Sequence, residues 1–248
     1  MKKVIYILLI IITVSLGITS GSVMAIPTLQ LDIAGGTYDT TTETIVASGN
    51  PFTLYALLIE DSKNKVGDTY YISAALSPKT KPPGGDHGSF TFNGDIIDVT
   101  GDMIYGVPPV EIFGSQLSDS GDLQRHGIFY TYFKEFEFKF NTANKAIPYN
   151  TQDNAGDGPT PSATGNMYYA SFTVDTSGLD PEYLIHFDLY NTYLASCRDV
   201  DICKSCFAPF SHDAESGNGK VPEPATLLLL GIGLVGLTLW GRRKNHRA

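Results

Sequence analysis

The sequence predicts an all-β fold, a two-sheet sandwich of jelly-roll or Greek-key-like type, and three observations carry that prediction. Apolar residues recur mostly with period two from Ile26 to about Phe210, the spacing that puts every second side chain of a strand on one face. Gly, Pro and Asn gather between these segments, where turns need a positive φ or a fixed proline ring. No stretch of comparable length keeps the 3.6-residue period of an amphipathic helix, and 14 Tyr and 13 Phe beside a single Trp favour strands.

Taken in order, Leu29, Leu31 and Ile33 alternate with Thr28, Gln30 and Asp32, and Gly35-Gly36 ends that strand. Ser48-Gly49-Asn50-Pro51 precedes Phe52–Ile59, whose nearly continuous apolar character suits a strand covered on both faces. Tyr70, Ile72, Ala74 and Leu76 form the next series, closed by Lys81-Pro82-Pro83-Gly84-Gly85, with further breaks at Asn93-Gly94 and Pro108-Pro109. Phe136, Phe138 and Phe140 oppose Glu135, Glu137 and Lys139, a half-buried strand with one wet face. The weakly patterned stretch 141–166, containing Gly156-Asp157-Gly158-Pro159, reads as a loop that is either functional or mobile. Tyr168, Ala170, Phe172 and Val174 alternate with Tyr169, Ser171, Thr173 and Asp175; Ile185, Phe187 and Leu189 face away from His186 and Asp188. About eight strands result, with no internal repeat.

The 248 residues carry a net charge of −9, unevenly placed. Six of the 17 basic residues lie at the two ends, so Ile26–Lys220 carries 11 basic and 25 acidic residues, a net of −14. That balance repels phosphate backbones and argues against nucleic-acid binding. Lys2 and Lys3 precede an apolar run from Val4 to Ile12, and Val23-Met24-Ala25 supplies small residues at a cleavage site. Residues 1–25 therefore read as a secretory signal peptide cut after Ala25 and handled by the Sec translocon, in preference to an uncleaved anchor. Ala225 to Trp240 is a second uncharged run, about 24 Å long as a helix, followed by Arg242, Arg243 and Lys244. Its apolarity alone would also suit a buried core helix, but the basic cluster makes it a transmembrane helix with the C-terminus inside. The expected organisation is a signal at 1–25, an exported β domain at 26–220 and a tail at 221–248.

Val221-Pro222-Glu223-Pro224, the short apolar helix with Gly231, Gly233 and Gly236, and the Arg-Arg-Lys end together resemble the PEP-CTERM sorting signal of Gram-negative bacteria. Taken singly, Pro222 and Pro224 would also serve as helix-start prolines with Glu223 at the positive helix end. The resemblance implies a chain held in the inner membrane with its domain in the periplasm. It also implies cutting near Pro-Glu-Pro by an exosortase partner and passage to the surface or matrix of an organism that makes exopolysaccharide and forms biofilm. The middle of the chain resembles the choice-of-anchor N proteins, on IPTLQLDIAGGTYD from Ile26, TETIVASGNPFTLYALL from Thr42, HGIFYTYFKEFEFKF from His126, and IHFDLYN followed by FAPFSHDAESG from Phe207. That resemblance implies an exported, anchor-swappable domain and no established activity.

Cys197, Cys203 and Cys206 are spaced C-x5-C-x2-C. In an oxidising compartment one disulfide and one leftover thiol are expected. With His212 they would also make four zinc ligands, but one CxxC is half of a zinc ribbon. Haem attachment lacks its His after Cys206, and a Cys203–Cys206 redox pair lacks a thioredoxin-like setting. A structural calcium has two weak cues, Asp153 with Asp157 around Gly156 and Gly158, and the pair Asp199 and Asp201. Ala155 and Thr164 occupy positions where calcium loops carry ligands. No other cofactor is expected.

Glu135 and Glu137 share a strand face at about 6.5–7 Å, a usable carboxylate spacing, and resemble part of the E-x-D-x-(x)-E strand motif of laminarinase-like jelly rolls. Lys139 stands where a third acid belongs, so a solvated face is the simpler reading. Ser211-His212-Asp213 holds the triad residue types, but adjacent residues cannot converge as nucleophile, base and orienter; a turn is expected. Asp119-Ser120-Gly121 lacks the glycines of a nucleophile loop. His87 and His126 read as surface residues, and Tyr130, Tyr132, Tyr169 and Tyr190 offer a glycan-contacting face if exposed. The expected function is a non-enzymatic surface or matrix component, the alternatives being a module that binds self-made polysaccharide or, less favoured, a polysaccharide-active enzyme.

Overall fold

The structure, a computed structural model, describes residues 26–81, 85–110, 130–196 and 205–217. The signal segment with Ala25, the tail with Val221, Pro222, Glu223, Pro224, Arg242, Arg243 and Lys244, and Ser120, His126, Cys197, Asp199, Asp201 and Cys203 lie outside the described residues. Among the described residues no helix is long and apolar enough to cross a membrane.

Strands dominate and form two sheets. The first runs β1 (Leu29–Ile33), β4 (Phe52–Ile59), β11 (Met167–Asp175), β6 (Ser89–Phe92), β7 (Asp95–Asp98), with β10 (Lys145–Ala146) also paired to β11. The second runs β2 (Thr37–Asp39), β3 (Thr44–Val46), β13 (Ala214–Glu215), β12 (Leu184–Asn191), β5 (Tyr70–Ser77), β9 (Thr131–Phe138), β8 (Ile104–Gly106). Every pairing is antiparallel except β3 with β13. Among the described residues the one α-helical turn, α1 (Val99–Asp102), is capped by Asp98, whose carboxylate accepts the Gly101 N–H at 2.6 Å.

The expected alternation builds the core. Leu29, Leu31 and Ile33 of β1 and Leu54, Ala56 and Leu58 of β4 face Tyr70, Ile72, Ala74 and Leu76 of β5 and Ile185, Phe187 and Leu189 of β12. Aromatic rings join the sheets: Phe92 stacks on Phe136 at 4.0 Å, and Phe172 meets Phe138 edge-on at 5.1 Å. Each ring contact adds a geometric preference to the burial of its area. Glu135, Glu137 and Lys139 stay exposed opposite these rings.

Strands β1 and β12 depart from a one-sided pattern. All five residues of β1 are buried, Gln30 and Asp32 included, and so are His186, Asp188, Tyr190 and Asn191 of β12. The stretch 141–166 covers the outer face of β1: Gln30 accepts from the Thr151 N–H at 3.0 Å and donates to the Tyr149 carbonyl at 3.2 Å. That stretch is therefore packed structure, and its role is to close a sheet face. A second small core of Val110, Tyr190, Leu194, Phe207 and Phe210 covers the outer face of β12 near its end. Thirteen strands are present among the described residues, more than expected, because β2, β3, β8, β10 and β13 are only two or three residues long and too short for a period to register.

Candidate functional site

On the outer face of the second sheet, three side chains converge. His186 Nε2 lies 3.4 Å from Asp188 Oδ1 and 3.7 Å from Asp213 Oδ2, with the side chains 5%, 3% and 1% exposed. One ligand atom from each falls within 4.8 Å of the other two. Ser73 of β5 stands directly across from Asp188, fully buried, and its Oγ has no hydrogen-bond partner. Asp188 Oδ2 makes no hydrogen bond either.

Strand geometry makes this convergence. His186 and Asp188 are two positions apart and so share a face. The register His186↔Glu215 and Phe187↔Ala214 brings the start of β13, and with it Asp213, alongside Asp188. Upstream, the chain already follows β12: the Asn191 N–H donates to the Cys206 carbonyl at 2.9 Å and the Ala208 N–H to that of Leu189 at 2.8 Å. After these two contacts it leaves β12 for the 3-10 turn Phe210–His212 and rejoins it at Ala214. The sequence signal was faint, a His and an Asp alternating with apolar residues, which ordinarily marks a wet face.

Ser211-His212-Asp213 does form a turn. Ser211 Oγ lies 2.8 Å from His212 Nδ1, and His212 Nε2 lies 2.9 Å from Asn150 Oδ1. Asn150 Oδ1 also accepts the Gln152 N–H at 2.9 Å, so it is an acceptor. His212 Nε2 must then carry the proton, and Nδ1 accepts from the Ser211 hydroxyl. Burial lowers the imidazole to about 4, so the ring is neutral and acts as a fixed link between this turn and the loop over β1. All three residues are buried, and Asp213 turns to His186 instead of His212.

Asp153 and Asp157 are both exposed, at a turn where the Asp157 N–H bonds the Asn154 carbonyl at 3.3 Å. The neighbouring glycines serve Asp32: its carboxylate accepts the Gly156 and Gly158 N–H groups at 2.9 and 3.1 Å, and the Tyr149 hydroxyl at 2.8 Å. Burial nevertheless holds the Asp32 carboxyl above its ordinary value, against the pull of those donors.

The remaining expected residues separate in space. Cys206 is buried, is a free thiol, and burial pushes it above its ordinary value. Glu135 accepts the Tyr190 hydroxyl at 2.5 Å, so one member of the carboxylate pair anchors a buried tyrosine. The surface reading of His87 is corrected: it is 7% exposed and packs edge-on against Tyr183 at 4.8 Å. Tyr132 and Tyr190 are likewise buried, because their strand positions face a core on one side or the other, while Tyr130 is 62% exposed.

Residues 220–244 match the PEP-CTERM protein-sorting motif. That motif marks a secreted, membrane-anchored precursor, with an exosortase as processing partner, destined for the cell surface. No curated protein and no solved structure matches the chain.

Proposed function

We propose that the protein is a non-enzymatic component of the cell surface or extracellular matrix, delivered through the periplasm of a Gram-negative bacterium and associated there with exopolysaccharide or biofilm. The sorting motif at 220–244 is the observation that carries this reading. In this reading the exported domain is of choice-of-anchor N type, with an interchangeable anchor. In this reading Pro222-Glu223-Pro224 is presented at the outer membrane–water boundary, 225–240 sets depth, and Arg242, Arg243 and Lys244 set orientation. No catalytic cofactor enters it, and calcium at Asp153 and Asp157 or at Asp199 and Asp201 would be structural.

The test is mass spectrometry of surface-released protein. A C-terminus near Pro222–Pro224 is expected, and surface material still ending at Ala248 would refute the sorting step. A carbohydrate-binding role has one favouring observation: exposed Tyr130 stacks with Tyr105 beside exposed Ile104 at the β8 edge. Retardation of the protein in a polysaccharide gel, lost in Tyr130→Ala, would favour that second reading. Glycan turnover abolished by Glu137→Gln would replace both with an enzyme.

A further inference from the structure

We propose that His186, Asp188 and Asp213 bind one divalent transition-metal ion, zinc being the ion their donor set and spacing fit. The distances are the first reason. An N–H···O hydrogen bond is about 2.7–3.2 Å long, whereas His186 Nε2 stands 3.4 and 3.7 Å from the two carboxylate oxygens. Ligands on a tetrahedral ion with bonds of about 2.1 Å lie about 3.4 Å apart. His186 Nε2 therefore stands from each carboxylate oxygen closer to the separation of two ligands on one ion than to that of a hydrogen bond.

Charge and burial are the second reason. All three side chains are at least nineteen-twentieths buried. A cation held among carboxylates this buried is favoured, because it offsets their desolvation. Asp188 Oδ2 and Ser73 Oγ, both buried on this face and without hydrogen-bond partners, supply the independent sign of a ligand. Ser73 is opposite Asp188 in the ladder, which puts its Cβ about 4.5–5.5 Å away and its hydroxyl within reach of a fourth coordination position or of a metal-bound water.

The donor chemistry selects the ion. Calcium takes six to eight oxygens and magnesium keeps several waters, whereas an imidazole with carboxylates suits zinc. Two ligands come from β12 and the third from the residue just before β13, so an ion here would clamp the chain's last described segment to the sheet. This inference is independent of the sorting reading.

The experiment uses the full-length chain in detergent with Cys197→Ser, Cys203→Ser and Cys206→Ala, so that no thiolate competes, stripped with a chelator and titrated with Zn²⁺, Co²⁺ or Ca²⁺. One zinc per chain is expected by elemental analysis, with a higher melting temperature and, for Co²⁺, the intense visible bands of a tetrahedral nitrogen–oxygen site. Asp188→Asn should weaken zinc binding by about 100-fold and Ser73→Ala by about tenfold. Absence of stoichiometric zinc, unchanged affinity in Asp188→Asn, a cobalt spectrum lacking tetrahedral bands, or stabilisation by Ca²⁺ alone would overturn the proposal. Should Asp188→Asn fail to fold, Ser73→Ala and the parent's cobalt spectrum decide the matter.

Discussion

The Tyr149 hydroxyl donates to Asp32 Oδ2 at 2.8 Å across 117 positions of chain. With the Gly156 and Gly158 N–H groups on the same carboxylate, it ties the loop over β1 to the sheet. Replacing Asp32 by Ala would leave these donors facing a cavity, and an orphaned buried donor costs about 1–3 kcal/mol. Asp32→Ala should lose about 3 kcal/mol in urea unfolding. Asp32→Asn should lose less, because its amide oxygen still accepts from Ile33 and Gly156 while its NH2 meets the Gly158 N–H. A loss below about 1 kcal/mol for Asp32→Ala would contradict this account of the loop.

Asp32 and Asp61 should respond to acid in opposite senses. Burial holds Asp32 above the ordinary 3.8, so the folded state binds its proton more tightly and stability from this residue falls as pH rises from 3.8 through the raised value. Asp61 is also raised by burial, but the N–H groups of Lys63 and Asn64, the Asn64 side chain and the Thr28 hydroxyl outweigh that and leave it lowered. Its stabilisation is present above 3.8 and disappears as pH falls through the lowered value. In urea titrations from neutral to acid pH, the deficit of Asp32→Asn against the parent should grow, and that of Asp61→Asn should shrink. Parallel trends in the two variants would contradict these environments.

These two aspartates also show where sequence reading stops. Alternation identified the face of Phe136 and Phe138 because Glu135 and Glu137 meet water opposite them. The same alternation in β12 gave no warning that His186 and Asp188 are buried, since part of what covers that face, Phe207 and Phe210, lies in a segment with no period of its own. Asp153 and Asp157 drew notice as acids beside glycines. The glycine N–H groups instead serve Asp32, more than 120 positions earlier, and local spacing does not encode such a pairing.

Gly156 should be among the least replaceable loop positions. Its φ of +86° is one that side chains rarely adopt, and an added Cβ would lie 2.3 Å from the Gly36 carbonyl oxygen. Its own carbonyl accepts the Gly35 N–H at 2.9 Å, so neither segment can retreat cheaply. Gly35 also has a positive φ, +67°, but open space around it. Gly35→Ala should cost about 1 kcal/mol from backbone strain alone, and Gly156→Ala about 3 kcal/mol or more from strain and overlap together. Thermal unfolding of the two variants side by side checks the difference, and equal melting temperatures would show that the loop adapts.

Cys206 should be the thiol left over when the other two cysteines pair. Its residue is 1% exposed and its thiol is raised by burial, which suppresses the thiolate that alkylation and disulfide exchange require. The backbone around it is held twice: the Cys206 carbonyl accepts the Asn191 N–H at 2.9 Å, and the Ser205 carbonyl accepts the Asn64 side-chain amide at 2.7 Å. Bringing the sulfur out to a partner would break those bonds and uncover Phe207, which is packed against Tyr190 and Phe210. Native protein should therefore label at Cys206 at least about tenfold more slowly than protein in urea. Non-reducing peptide mapping should place the cross-link between Cys197 and Cys203. A Cys206-containing disulfide peptide would mean that this segment opens during oxidation, and the clamp drawn between it and β12 would have to be given up.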